Sequence, residues 1–144
     1  MIVSKRVPKV ISAPKHAVID YIHAGANVAV GALLWKRNRK AAAGAFALAA
    51  GILANALMTD YPLGVFRLYS FKAHGTLDYG VAAASAAMPK ILGLKGTPEA
   101  IYFRAQGSAE TGIASLTNYG DDTGAIRNGQ PHSKAERILE RALP

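Results

Sequence analysis

The chain has 144 residues, a length that suits one domain. It contains no cysteine, which excludes disulfide scaffolds, thiol catalysis and cysteine-based metal clusters. With 51% hydrophobic residues it is too apolar for a disordered chain, and its net charge of +8 points to nucleic acid or anionic lipid until the charges are placed.

Lys5, Arg6, Lys9 and Lys15 precede a first apolar run at 17–35, with Ser12 and Pro14 as its helix-start signals. Lys36, Arg37, Arg39 and Lys40 separate it from a second run, 41–58, which holds no charged residue. Arg67 and Lys72 lead into a third run at 75–94, closed by Lys90 and Lys95. Thr97 as N-cap and Pro98 at the first helical position open a fourth, 100–116. Each run approaches the roughly 17–25 residues with which a helix crosses a bilayer, and basic residues at run ends are membrane flanks. A nucleic-acid binder gathers them on one face instead, so no nucleic-acid partner is expected. The first run, with its basic leader, also fits a signal peptide. The expected fold is all-α: an integral membrane four-helix bundle over 1–120, followed by a polar tail at 121–144. In that tail 121–130 reads as a loop, and Ser133 to Glu136 is a capping box opening a short helix. A soluble alanine-rich bundle is the rival fold, because the runs contain Asp20, His23, Asn27, Asn55, Arg104, Gln106 and Glu110. The second run, lacking a polar stripe, argues against it.

Compared with itself at an offset of 58 residues, the sequence aligns His16 with His74, Asp20 with Asp78 and Tyr21 with Tyr79. Thr59 and Tyr61 then meet Thr117 and Tyr119, and Asp60 meets Asn118. The reading is two tandem two-helix repeats, 16–61 and 74–119, parallel in the membrane, and a repeat of this kind means that the first run is retained. The order Thr59-Asp60-Tyr61-Pro62-Leu63-Gly64-Val65-Phe66-Arg67-Leu68, then His74-x-x-x-Asp78, then an apolar run through Pro89, Leu92 and Gly93, resembles the small bacterial SPW-repeat membrane proteins. The resemblance implies four membrane helices from two repeats, in a bacterial inner membrane, and no chemistry.

His16, Asp20, His23 and Asn27 form one stripe on the first helix, and Asn55 shares a face with Thr59 on the second. Such residues point into a bundle rather than at lipid. One end should gather His16, Asp20, Thr59, Asp60, His74, Asp78, Thr117 and Asn118. The structural reading is that His and Asp bond to each other and to the threonines, holding the helices together; Asp78→Asn should then be tolerated. The functional reading is that His16, His23 and His74 are candidate ligands for a haem or a divalent metal, or pass protons. No metal or cofactor is assigned. Glu110 has His23, a neighbouring subunit or its own proton as alternatives, and Arg104 lies six residues away on another face. Rows of small residues, Ala43-Ala47-Gly51, Gly25-Ala29 and Ser108-Gly112, are expected at helix contacts, and Trp35 with the tyrosines at the interfaces. No catalytic motif occurs. The expected function is therefore a structural or accessory membrane subunit, partnered by lipid and by other subunits or itself, with cytoplasmic termini. A cofactor-binding or proton-conducting protein is the alternative, and a dimerising half-transporter a third.

Overall fold

The computed structural model describes residues 7–120; the expected tail loop and terminal helix lie outside them. Four helices carry the fold: α1 (Ala13–Leu34), α2 (Arg39–Met58), α3 (Phe71–Ile91) and α4 (Pro98–Leu116). Their starts are locally determined. Pro14 sits in the first turn of α1, although the Ser12 side chain makes no cap bond. Asn38, Ser70 and Thr97 each accept a hydrogen bond from a first-turn backbone N–H, at 3.1, 3.2 and 3.4 Å. Helix α3 begins four residues before the expected run because this Ser70 cap, not the apolar pattern, sets its boundary.

Short links fold α1 onto α2 and α3 onto α4 as two hairpins, and these are the intimate contacts of the fold. In the turn from α3 to α4, Gly93 and Gly96 have φ of +66° and +80°, left-handed values that only glycine adopts at no steric cost. The link between the hairpins is longer and carries β1 (Thr59–Asp60) and β2 (Tyr69–Ser70), paired in parallel with Thr59 opposite Tyr69. At the same end Ile11 bridges Thr117, also in parallel. The two bridges are related residue by residue at one offset, since 58 places separate Ile11 from Tyr69 and Thr59 from Thr117. Both described ends of the chain therefore meet at one end of the bundle, away from the 35–38 and 92–97 turns.

Apolar side chains concentrate at the two ends of the interior. Leu34, Leu48, Leu94 and Phe103 fill the end with the short turns, and Ala13, Ala17, Ala56, Tyr61 and Phe71 the other. Polar groups are buried along the interior instead: Asn27, Asn55, Ser85, Gln106 and Glu110 besides the His and Asp residues. Outside, no exposed position of α1 between 18 and 33, of α2 between 41 and 58, or of α3 between 77 and 87 carries a charged residue. Helix α4 presents Arg104. Two helices, α1 and α2, are long and apolar enough to cross a membrane, with mean hydropathy 1.4 and 1.8.

The small-residue rows do not mark the contacts. Ala43, Ala47 and Gly51 lie on the exposed face of α2, and a Cβ at Gly25, Gly51 or Gly112 would meet nothing within 4 Å. Close approach occurs at Gly107, whose missing Cβ would stand 2.8 Å from the Ala82 carbonyl, and at Gly75 beneath the Tyr119 ring. Row spacing identifies a face and not which face is covered.

Candidate functional site

Where α1 and α3 start, the two hairpins are tied by a buried polar centre. His16 and His74 are wholly buried, and their Nε2 atoms stand 3.1 Å apart. Both carboxylates flank this pair. Asp20 lies 3.2 Å from His16 Nε2 and 3.3 Å from His74 Nε2, and Asp78 lies 3.2 and 3.1 Å from the same two atoms. One helical turn separates each His from its own Asp, so each helix presents both groups on one face.

The hydroxyls fix the ring orientation. Thr117 Oγ1 donates to the Ile113 carbonyl at 2.7 Å, and Thr59 Oγ1 to the Asn55 carbonyl at 2.6 Å. With their protons so directed, these oxygens accept from His16 Nδ1 at 2.8 Å and from His74 Nδ1 at 2.6 Å. Both rings thus carry hydrogen on Nδ1, and both Nε2 atoms face the carboxylates. Tyr61 donates to Asp20 Oδ2 at 2.8 Å, Tyr119 to Asp78 Oδ2 at 2.5 Å, and Asn55 Nδ2 to Asp78 Oδ1 at 2.9 Å. Burial, then the charge of the facing aspartate, pushes both phenols well above the usual tyrosine value, so they remain neutral donors.

The expected clustering holds for His16, Asp20, Thr59, His74, Asp78 and Thr117. Asp60 and Asn118 lie outside it: Asp60 approaches Arg67 at 3.7 Å and Asn118 is exposed. Extended backbone alternates sides, so Thr59 and Tyr61 point in while Asp60 points away, and likewise for Thr117, Tyr119 and Asn118. Tyr61 and Tyr119 were the residues missed, expected at an interface but in fact closing the site. Their signal was available: they match each other at the same offset and lie two residues after the threonines. The tolerance expected of Asp78→Asn is also corrected. Both Asp78 oxygens accept from Asn55 or Tyr119, so an amide would turn an N–H towards a donor.

A second polar group lies deeper, between α1 and α4. His23 Nδ1 is 2.8 Å from Glu110 and its Nε2 is 2.7 Å from Gln106 Oε1. Tyr102 donates to Asn27 Oδ1 at 2.6 Å, and Asn27 Nδ2 to the His23 carbonyl at 2.9 Å. His23 is thus the partner of Glu110 among the alternatives, and Arg104 is exposed elsewhere. This group has no equivalent in the other half, where Val81, Leu48 and Ile52 stand at the matching positions.

A haem does not fit between His16 and His74. Bis-histidine ligation needs a porphyrin plane between the rings, and here the nitrogens are nearly in contact with a carboxylate on either side. Comparison with family models, curated proteins and solved structures gives no match.

Proposed function

We propose that the chain is an integral membrane protein whose four helices, α1 to α4, span the bilayer. It serves as a structural or accessory subunit of a larger membrane complex or homo-oligomer. The observation that carries this reading is the reversed distribution of polarity: uncharged outer faces on α1, α2 and α3 over an interior of His, Asp, Asn, Gln and Glu. A soluble bundle places its charges outside, because water satisfies them there. In a bilayer, ionisable side chains face the interior and pair.

Duplication of one hairpin is part of the proposal. It is supported by the polar centre, where each side-chain bond that His16, Asp20, Thr59 or Tyr61 makes has a counterpart 58 residues away. Two outer grooves add to this: one is lined by Tyr21, Ala24 and Phe46 and the other by their matches Tyr79, Ala82 and Arg104. The motif order shared with SPW-repeat proteins favours the same architecture and a bacterial inner membrane. Six basic residues flank the spans on the side of both termini (Lys5, Arg6, Lys9, Lys15, Arg67 and Lys72) and six on the other (Lys36, Arg37, Arg39, Lys40, Lys90 and Lys95). It is therefore the four of the tail, Arg127, Lys134, Arg137 and Arg141, that tip the termini towards the cytoplasm.

Single-cysteine labelling in this cysteine-free background tests the topology. Positions 9 and 118 should label from one side of the membrane and position 37 from the other; opposite labelling of 9 and 118 refutes four spans. The native mass in detergent tests the subunit reading, with an assembly larger than the 15.1 kDa chain expected and a strict monomer refuting it. A proton-conducting protein is the second reading, favoured by the His23–Glu110 pair, which exists in one half alone. Proton flux in liposomes that Glu110→Gln abolishes would establish it.

A further inference from the structure

We propose that His16, His74 and Asp20, with Asp78 facing the same two nitrogens, form a binding site for one divalent transition-metal ion of the zinc class. The inference concerns the centre alone and stands whether or not the helices lie in lipid. One nitrogen of each histidine and one oxygen of Asp20 lie within 4.8 Å of one another. The nitrogens themselves are 3.1 Å apart, and the His–Asp distances fall between 3.1 and 3.3 Å. Ligand atoms at bonds of about 2.0 Å around a tetrahedral ion are separated by about 3.3 Å, so little movement is needed to coordinate one.

Hydrogen-bond accounting gives the site its charge. Thr59 and Thr117 hold the protons on Nδ1, and without a second proton the rings direct two Nε2 lone pairs at each other and at two carboxylates. Without a positive charge, this is repulsion between four electron-rich groups. A dication cancels the two carboxylate charges and accepts both lone pairs. The outer shell is also that of a metal site: each ligating ring donates its other N–H to a fixed acceptor, and each carboxylate accepts from a tyrosine. Two nitrogens and carboxylate oxygens suit zinc or its first-row neighbours, whereas calcium and magnesium take oxygen sets. With Tyr61, Phe71 and Tyr119 around it, the centre is closed, as in structural sites, and an ion there would clamp one hairpin to the other.

The rival compensation is a proton on each Nε2, giving two imidazolium–carboxylate pairs. The test separates them. The full-length chain, free of any affinity tag, is chelator-washed in detergent and titrated with Co(II) and then Zn(II), with visible absorption, metal analysis and proton release as readouts. Expected are one equivalent per chain and a Co(II) ligand-field spectrum that Zn(II) displaces, with release of whatever protons on Nε2 balance the centre before the ion enters. His74→Gln should weaken binding at least 100-fold and Thr59→Val about 10–100-fold, while His23→Ala leaves the stoichiometry unchanged. Helical circular dichroism establishes that each variant is folded. Should the variants fail to fold, the wild type decides: Zn(II) must raise its unfolding temperature. Folded wild-type protein that takes up no Co(II) or Zn(II) overturns the proposal, as does binding that is lost with His23→Ala and kept with His74→Gln.

Discussion

Thr59→Val tests the polar centre most cleanly. The two side chains have nearly the same shape, so the change opens no cavity and removes one oxygen. That oxygen accepts from His74 Nδ1 at 2.6 Å in a wholly buried position. After substitution the imidazole N–H faces a methyl group, with no water to replace the lost acceptor. Leaving such a donor unsatisfied costs about 1–3 kcal/mol, a factor of roughly 5 to 150 in the folded-to-unfolded ratio. Thr59→Ser is the control, since it keeps the oxygen and loses one methyl group, worth about 0.8 kcal/mol. Reversible unfolding in mixed detergent micelles, followed by helical circular dichroism, gives both differences. Thr117→Val should repeat the result through His16, whose Nδ1 lies 2.8 Å from that hydroxyl. Interhelical hydrogen bonds in a bilayer average about 0.6 kcal/mol. Valine variants that lose no more than their serine controls would refute the claim that these hydroxyls hold the rings.

Gly75→Ala should destabilise by about 1–3 kcal/mol in the same assay, because the new Cβ would lie 2.8 Å from the Tyr119 ring. Gly25→Ala, with nothing within 4 Å, should be neutral or slightly stabilising. Asp78→Asn should lower thermal stability in detergent, and Tyr119→Phe in that background should recover part of the loss by removing the opposed donor. Arg37 holds the Glu99 carboxyl below the usual glutamate range through a 2.7 Å hydrogen-bonded pair at the end opposite the polar centre. A lowered folded value means the pair stabilises above pH about 4.3 and fades as pH falls through and below it, so the gap between wild type and Arg37→Ala should narrow there. With Arg37 67% exposed, that gap should stay within about 1 kcal/mol even at neutral pH. The triple variant His23→Val, Gln106→Leu, Glu110→Ile gives the α1–α4 interface the residues of the α2–α3 interface, and it should fold with equal or greater stability.

Repeated chemistry was legible in the sequence because it is written in residue identity. The match of His16 with His74 and Asp20 with Asp78 locates four groups at corresponding helix positions, and α1 and α3, which carry them, start at the same end of the bundle. Helix spacing likewise put Asn27 on the His16 face, whereas for Glu110 it left His23 as one alternative among three. Direction within extended segments was not extracted, although the means were present: a two-residue period separates Asp60 from Thr59 and Tyr61. The small-residue rows misled for a different reason. Spacing every fourth residue describes a face of one helix, whereas contact depends on the neighbour, and the neighbours of α2 crowd Gly44 rather than Gly51. Nor could spacing show that the two imidazole rings meet at Nε2, because the threonine acceptors that orient them come from the other hairpin for His16 and from the inter-hairpin link for His74.

The halves agree and part in an orderly way, which bears on what the molecule is for. At the polar centre His, Asp, Thr and Tyr are all doubled, and each half supplies one histidine and one carboxylate to a shared middle. Away from that middle nothing compels the halves to match. There the α2–α3 side places Val81, Leu48 and Ile52, an apolar solution that holds two helices without polar cost. The α1–α4 side places His23, Gln106 and Glu110 at the same positions, and leaves Gln106 Nε2 buried without a partner. Burying ionisable groups where the matching interface manages with aliphatic ones is not the stable choice, because desolvation of such a pair commonly offsets its attraction. Stability therefore does not account for the single His23–Glu110 group. If one part of this protein responds to a proton or a passing solute, the asymmetry singles out the α1–α4 side, while the doubled centre is the part that both halves share.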